Sequence, residues 1–222
     1  MPDVPPPLVV EPAQPARATV IFFHGLGADG SDFADFPALL GLRAVRYVFP
    51  HAPVRPVTLN GGLPMRAWFD IARLAPGGRF DRAGLEESVR GVEALLAVEE
   101  ARGIPTGRTI LGGFSQGGAV ALYAALTRGL PLAGVVALST FLPMEIPRAE
   151  ATRVVPVFLG HGRADPVVDF RLGEETRDVL LGFGHEVRWW THAGGHTVDR
   201  EETRAMARWL EEKLGNTPLG EG

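Results

Sequence analysis

The chain has no cysteine, which excludes disulfide staples, thiolate nucleophiles and cysteine-ligated metals. Lysine is almost absent, Lys213 being the single one, and asparagine occurs only at Asn60 and Asn216. No apolar run approaches the roughly 18 residues of a membrane span, so no stable membrane insertion is expected. The opening Met1-Pro2-Asp3-Val4-Pro5-Pro6-Pro7 is acidic and proline-rich, unlike an export signal, and the cytoplasm is the expected location. Charge of one sign is not in excess either. A net charge of −4 gives no electrostatic footprint for nucleic acid or an anionic membrane. Internal repeats and low-complexity blocks are missing. Scarce Asn, Gln and Met beside abundant Arg and Pro fit a thermostable protein, and fit a GC-rich genome equally well.

What is present fits one globular domain: 222 residues, 45% hydrophobic and 22% charged. A continuous apolar run of β type lies at Thr19–Phe23, and further segments that read as strands lie at Val45–Phe49, Thr109–Leu111, Ala133–Leu138, Val154–Leu159 and Glu186–Thr191. Between them come amphipathic stretches. Leu85, Val89, Val92 and Leu96 recur at helical spacing after Asp81. Leu172, Thr176, Val179, Leu180 and Phe183 do so before Gly184. Met206, Trp209, Leu210 and Leu214 follow Asp199, which with Glu202 can cap the last helix. Ser31 or Asp32 can cap a short helix running to Leu40. This alternation predicts an α/β fold with a mainly parallel central sheet and helices on both faces. Residues 1–17 read as a Pro-rich arm, 18–215 as the single domain and 216–222 as a frayed tail. Within the domain, 54–82 lacks periodicity yet is rich in Trp, Phe, Leu and Met. That combination predicts a lid or substrate loop rather than a solvated connection.

Gly113-Phe114-Ser115-Gln116-Gly117 fits G-x-S-x-G between a predicted strand and a predicted helix. In that setting the serine occupies a strained turn with its hydroxyl projecting from the strand's carboxyl end. Serine is a poor nucleophile at neutral pH and needs a histidine as proton acceptor. The histidine in turn needs a carboxylate to hold its tautomer. Asp165 and His196 lie in loops after later strands, which gives the order Ser, Asp, His found in α/β-hydrolases. Asp169 and Asp199 compete with Asp165, though either can instead cap a helix. His192 competes with His196 and is read as a solvated loop residue. Two backbone N–H groups should meet the transition-state oxyanion, those of Gln116 and of Leu26 in His24-Gly25-Leu26-Gly27. His24 reads as loop packing. His51, His161 and His185 show no metal-like spacing with carboxylates, so neither metal nor cofactor is expected.

Six blocks together resemble the phospholipase/carboxylesterase family of α/β-hydrolases, which includes bacterial carboxylesterases and acyl-protein thioesterases. They are His24–Gly30, Pro50–Pro53, Trp68–Asp70, Gly113–Gly118, His161–Val168 and Gly195-His196. The segment Arg55–Gly62 is more similar to the bacterial carboxylesterase branch. The resemblance implies Ser115, Asp165 and His196 as a catalytic triad, with Leu26 and Gln116 as oxyanion donors. It implies a cofactor-free serine carboxylesterase acting on small acyl esters of short to medium chain. An acyl-protein or acyl-CoA thioesterase, or a lysophospholipase, would use the same residues. A catalytically dead binding protein on this fold would lack one of them, and none is missing. Many members of the family are dimers, which leaves a homodimer open. Leu63, Met65, Trp68, Phe69, Phe141, Leu142 and Val168 lie in or near loops at the active end. They are candidates for an apolar acyl groove, or for simple loop packing.

Overall fold

The alternation of apolar runs and amphipathic stretches becomes a layered structure in the computed structural model, which describes residues 4–74, 80–144, 146 and 153–215. The strands are β1 (Leu8–Val10), β2 (Ala18–Phe23), β3 (Val45–Phe49), β4 (Val54–Val57), β5 (Leu63–Arg66), β6 (Thr109–Phe114), β7 (Gly134–Leu138), β8 (Val157–Gly162) and β9 (Val187–His192). The helices are α1 (Phe36–Leu40), α2 (Arg82–Ala101), α3 (Gln116–Arg128), α4 (Phe170–Gly182) and α5 (Arg200–Leu214). Seven strands form one sheet in the order β1-β3-β2-β6-β7-β8-β9. All neighbours are parallel except β1, which pairs antiparallel with β3.

Helices on both faces explain the strand compositions. Strands β2 and β7 are buried at every position, so they read as near-continuous apolar runs rather than as alternating ones. On one face Ile21, Phe23, Leu111, Val135 and Leu159 pack against Leu85, Val89, Val92 and Leu96 of α2 and the small residues of α3. On the other, Val20, Phe22, Val136 and Phe158 meet Phe36 and Leu40 of α1 and Met206, Trp209 and Leu210 of α5.

Several boundaries differ from the sequence expectation, each for a local reason. The Val154–Leu159 run becomes strand only at Val157. Pro156 offers no N–H for a ladder, though its carbonyl accepts from Val135 N–H at 2.9 Å. The strand then continues through Gly160-His161-Gly162, which pair with Trp190, Thr191 and His192. The helix expected from Ser31 or Asp32 to Leu40 is split. Asp29 caps a 3-10 turn over Gly30–Phe33, and α1 starts afresh at Phe36 with Pro37 in its first turn. Val179, expected on the buried face of α4, is 39% exposed. Within the Pro-rich arm, Leu8–Val10 covers the outer edge of β3. The aperiodic stretch 54–82 contains a two-stranded hairpin, β4–β5, closed by Gly61 and Gly62 at positive φ. Pro56 and Pro64 interrupt any alternating pattern there. Pro76-Gly77-Gly78 in that stretch, and the tail 216–222, lie outside the described residues.

Strand order fixes where a site can form. From β2 the chain moves to β3 on one side, and later returns to β6 on the other. The carboxyl ends of β2 and β6 therefore open onto the crevice where the winding direction reverses, the usual ligand position in such sheets.

Candidate active site

Ser115 joins β6 to α3 at φ 54° and ψ −120°, a conformation that a serine keeps only where its surroundings over-determine it. The constraints are visible. Its N–H donates to Leu138 O at 2.8 Å, and its carbonyl accepts from Ala119 N–H at 3.2 Å. Thr140 Oγ1 donates to the same carbonyl at 2.6 Å. The flanking glycines are needed for close approach. A Cβ on Gly113 would lie 2.2 Å from the carbonyl carbon of Gly117, and one on Gly117 only 2.1 Å from Phe23 O. The end of β2, the end of β6 and the start of α3 are thus in backbone contact. The serine is also placed at the positive end of the α3 dipole.

The loop after β2 runs alongside. A Cβ on Gly25 would be 3.5 Å from Ser115 Cβ. Gly27 N–H donates to Arg66 O at 2.9 Å and Ala28 N–H to Gly25 O at 3.3 Å, while the N–H groups of Leu26 and Gln116 donate to no acceptor among the described residues. His24 holds this loop rather than facing the crevice. Its Nε2 accepts from Ala52 N–H at 3.0 Å, so the proton is on Nδ1, which donates to Gly25 O at 2.7 Å. Burial pushes its pKa down and keeps it neutral. His51 Nδ1 accepts from Gly30 N–H at 3.1 Å and secures the far end of the same loop.

Asp165 and His196 meet across the loops after β8 and β9. His196 Nδ1 lies 2.7 Å from Asp165 Oδ2. The other carboxylate oxygen accepts from Val167 N–H at 2.8 Å and Val168 N–H at 2.9 Å. The Asp165 side chain is wholly buried, and His196 is 17% exposed. The imidazole packs on Phe114, the residue before Ser115, with centroids 4.6 Å apart. Backbone bonds join the two loops: Arg163 N–H to His192 O at 2.8 Å and Ala164 N–H to Gly194 O at 3.1 Å. Behind Asp165, His161 Nε2 donates to Val168 O at 2.9 Å and lies 3.5 Å from Asp165 Oδ2. Burial lowers the His161 pKa, so it adds no charge there. The two rival acids are helix caps, Asp169 accepting from Arg171 N–H at 2.9 Å and Asp199 from Glu202 N–H at 2.7 Å.

Two expectations for this region need correction. His192 is not a solvated loop residue but buried, 8% exposed, and its ring is bonded at both nitrogens within the His196 loop. Nor does the Glu202 carboxyl complete a capping box. It is turned into the interior, 1% exposed, where burial pushes its pKa up to about 8. Gly160 makes the space, since a Cβ there would coincide with the Glu202 carboxyl oxygen. Sequence spacing identifies a cap but does not reveal which way the third residue's side chain turns.

The acyl-groove candidates separate by burial. Trp68, Phe69, Phe141 and Val168 have side chains in the hydrophobic core, so they pack loops instead of lining an open groove. Trp68 is an anchor on several counts. It packs edge-on to Phe23 at 5.2 Å and lies against His24 at 5.0 Å. Its indole N–H donates to His24 O at 2.8 Å, and its carbonyl accepts from Ser88 Oγ at 2.5 Å. Leu63 is 64% exposed at the hairpin, while Met65 and Leu142 are half-buried. Met65 lies beside the β2 loop, its sulfur 3.9 Å from where a Gly27 Cβ would be. The side chain of Gln116 has a role the sequence did not disclose. Its Oε1 accepts from Trp68 N–H and its Nε2 donates to Phe69 O, both at 2.8 Å, tying the hairpin's return to the residue after Ser115. Asp70 clamps the other end through Thr58 N–H at 2.7 Å and Thr58 Oγ1 at 2.5 Å.

Among the described residues no group of three or more His, Asp or Glu is arranged to hold a metal ion. No described helix is long and apolar enough to cross a membrane. The profile of the family described as Phospholipase/Carboxylesterase matches residues 5–214. Acyl-protein thioesterase 1 of Neurospora crassa is 38% identical over 225 residues, covering 94% of this chain and 92% of that protein. Acyl-protein thioesterase 2 of Zea mays superposes with a TM-score of 0.82 at 33% identity, over 94% of this chain and 99% of that one. The carboxylesterase of Bacillus cereus has a TM-score of 0.75 over 93% of each chain but only 18% identity, a likeness of fold alone.

Proposed function

Starting from a chain that belongs to the phospholipase/carboxylesterase family of α/β-hydrolases, and is a serine hydrolase, we propose that Ser115, His196 and Asp165 cleave carboxylic esters of short to medium acyl chain. The observation that carries this reading is the 2.7 Å contact of His196 Nδ1 with buried Asp165, on an imidazole packed beside the Ser115 turn. With Nδ1–H committed to the carboxylate, Nε2 is the atom available to take the Ser115 proton. Ser115 Oγ attacks the acyl carbon, and the resulting oxyanion is met by the N–H groups of Leu26 and Gln116. Each such donor is worth on the order of 10²–10³ in rate. His196 then returns the proton to the leaving group, the acyl-enzyme forms, and water activated by the same histidine releases the acid. Leu63, Met65 and Leu142 supply apolar contact for the acyl chain.

A second reading has its own support. Two relatives covering most of this chain are named acyl-protein thioesterases, and a thioester presents the same acyl carbon to the same residues. The leaving group alone separates the two. Turnover of matched oxygen esters and thioesters decides between them, with kcat/KM compared at equal acyl length. Ser115→Ala tests the chemistry common to both. It should cut turnover by about 10⁴–10⁶ and abolish fluorophosphonate labelling without lowering Tm. More than a tenth of wild-type activity would rule out the serine.

A further inference from the structure

His192 is placed to govern the loop that presents His196. It ends β9, and its ring folds back over the turn that follows. Gly194 N–H can only donate, so its 3.0 Å contact makes Nδ1 an acceptor. The Thr197 carbonyl can only accept, so its 3.1 Å contact puts the ring proton on Nε2. The two contacts fall on either side of Gly195-His196. That turn contains two consecutive glycines, which hold no conformation of their own. Space is reserved for the ring, since a Cβ on Gly194 would lie 2.8 Å from Nδ1. We propose that His192, as the neutral Nε2–H tautomer, is a positioning residue that clamps the 194–197 turn and so holds His196 on Asp165. The proposal rests on His196 being the base.

Two carboxyl groups face the ring. Glu202 Oε2 lies 3.5 Å from Nε2 and Asp199 Oδ2 3.8 Å from Nδ1. From the acid loop, Arg163 donates its N–H to His192 O and directs its guanidinium to Thr191 Oγ1 at 3.0 Å. His161 is close enough to interact with the ring through charge. Burial raises the Glu202 pKa to about 8, so this acid is uncharged near neutrality. A proton on Nδ1 would set two donors head to head at Gly194 and open the turn.

Three variants and a control separate positioning from packing. Asn at 192 keeps an acceptor where Nδ1 was. Phe keeps the ring volume and neither hydrogen bond, and Ala keeps none of these. On a p-nitrophenyl butyrate substrate, H192F should lower kcat by about 10–100-fold, the scale of a small misplacement of a reacting group, with KM changed less than about threefold. H192N should recover to within about fivefold of wild type. H192F matching wild type, or H192F outperforming H192N, would each overturn the clamp. If H192F does not fold, the H192N and H192A pair gives the same ordering. H196A is the control: substantial activity there would remove the base assignment itself, whereas an inactive H196A beside wild-type-like H192 variants would remove only the clamp.

Discussion

Hairpin β4–β5 with residues 67–70 bounds Ser115 on one side, and the loops after β8 and β9 bound it on the other. The first wall is hung by side chains. Trp68, Gln116, Ser88 and Asp70 fasten its base, and its tip carries the exposed Leu63 and Leu59. The second wall is stitched backbone to backbone. Gly162 has no room for a Cβ, which would fall 2.2 Å from Gly195 O, and both carboxylate oxygens of Asp165 are engaged. A wall fastened at its base can change its tip without disturbing its position. A wall stitched along its length cannot change a residue without moving its neighbours. On the proposed mechanism, substrate range would belong to the first wall and proton transfer to the second.

The largest test of that division falls on the second wall. Asp165→Asn should lower kcat by about 10⁴, because the amide no longer fixes the imidazole tautomer, while KM and acyl-length preference stay near wild type. Steady-state kinetics across acetate to octanoate esters would show it. A preference shifted along with kcat would mean that the walls are not independent.

Trp68→Ala attacks the fastening of the first wall. Loss of a buried aromatic costs about 3–5 kcal/mol, so thermal or urea unfolding should move strongly and all acyl lengths should suffer alike. Loss confined to long chains would instead make Trp68 part of the groove.

Glu202→Gln probes the buried acid of the second wall. The folded-state pKa, about 8, lies above the ordinary 4.5. The folded chain thus keeps a proton that the unfolded chain gives up. This group's contribution to stability falls as pH rises from about 4.5 and is fully lost above about 8. Glutamine removes the penalty, so at pH 9 the variant should melt about 5 °C higher than wild type, with the gap closing toward pH 5. A pH-independent difference would show that Glu202 is ionised in place. The buried histidines act oppositely. His24, His161 and His185 have lowered pKa values, so the unfolded chain takes up protons first and stability should decline below about pH 6.5.

The smallest effect belongs to the tip. Leu63→Ala should leave acetate hydrolysis unchanged and lower kcat/KM for longer chains by about fourfold per methylene no longer covered, or about 0.8 kcal/mol. Identical chain-length profiles would take the hairpin out of the substrate site.

Much of the second wall and all of the elbow could be read from sequence, because their chemistry needs particular residue types at particular places. G-x-S-x-G demands its glycines for backbone contact, and Asp165 and His196 lie in short glycine-containing loops after strands. The first wall was less legible. Its hairpin carries two prolines and a largely exposed surface, so period-2 alternation never appears in Val54–Arg66. Trp68 and Phe69 were recognisable as large apolar groups, but the direction they face depends on Phe23, Ser88 and Gln116, which are remote in sequence. His192 and Glu202 escaped for a similar reason. Polar residues in a loop and at a helix start are solvated by default, and only the third dimension shows that Gly160 makes a recess for one and Gly194 for the other.

The place of β2 in the sheet has a consequence for how the chain acquires its shape. This strand is made early but lies in the middle, between β3 and β6. Thr19, at its start, pairs with Thr109, and its hydroxyl donates to Glu99 from 80 positions away. During synthesis β2 can gain β3 as a neighbour soon after, yet its other edge stays bare until β6 has emerged. A bare apolar edge is a template for another chain, and pairing so distant in sequence closes slowly. Dilution and low temperature during refolding should therefore raise the yield of active protein, and fragments ending before Thr109 should associate rather than stay monomeric.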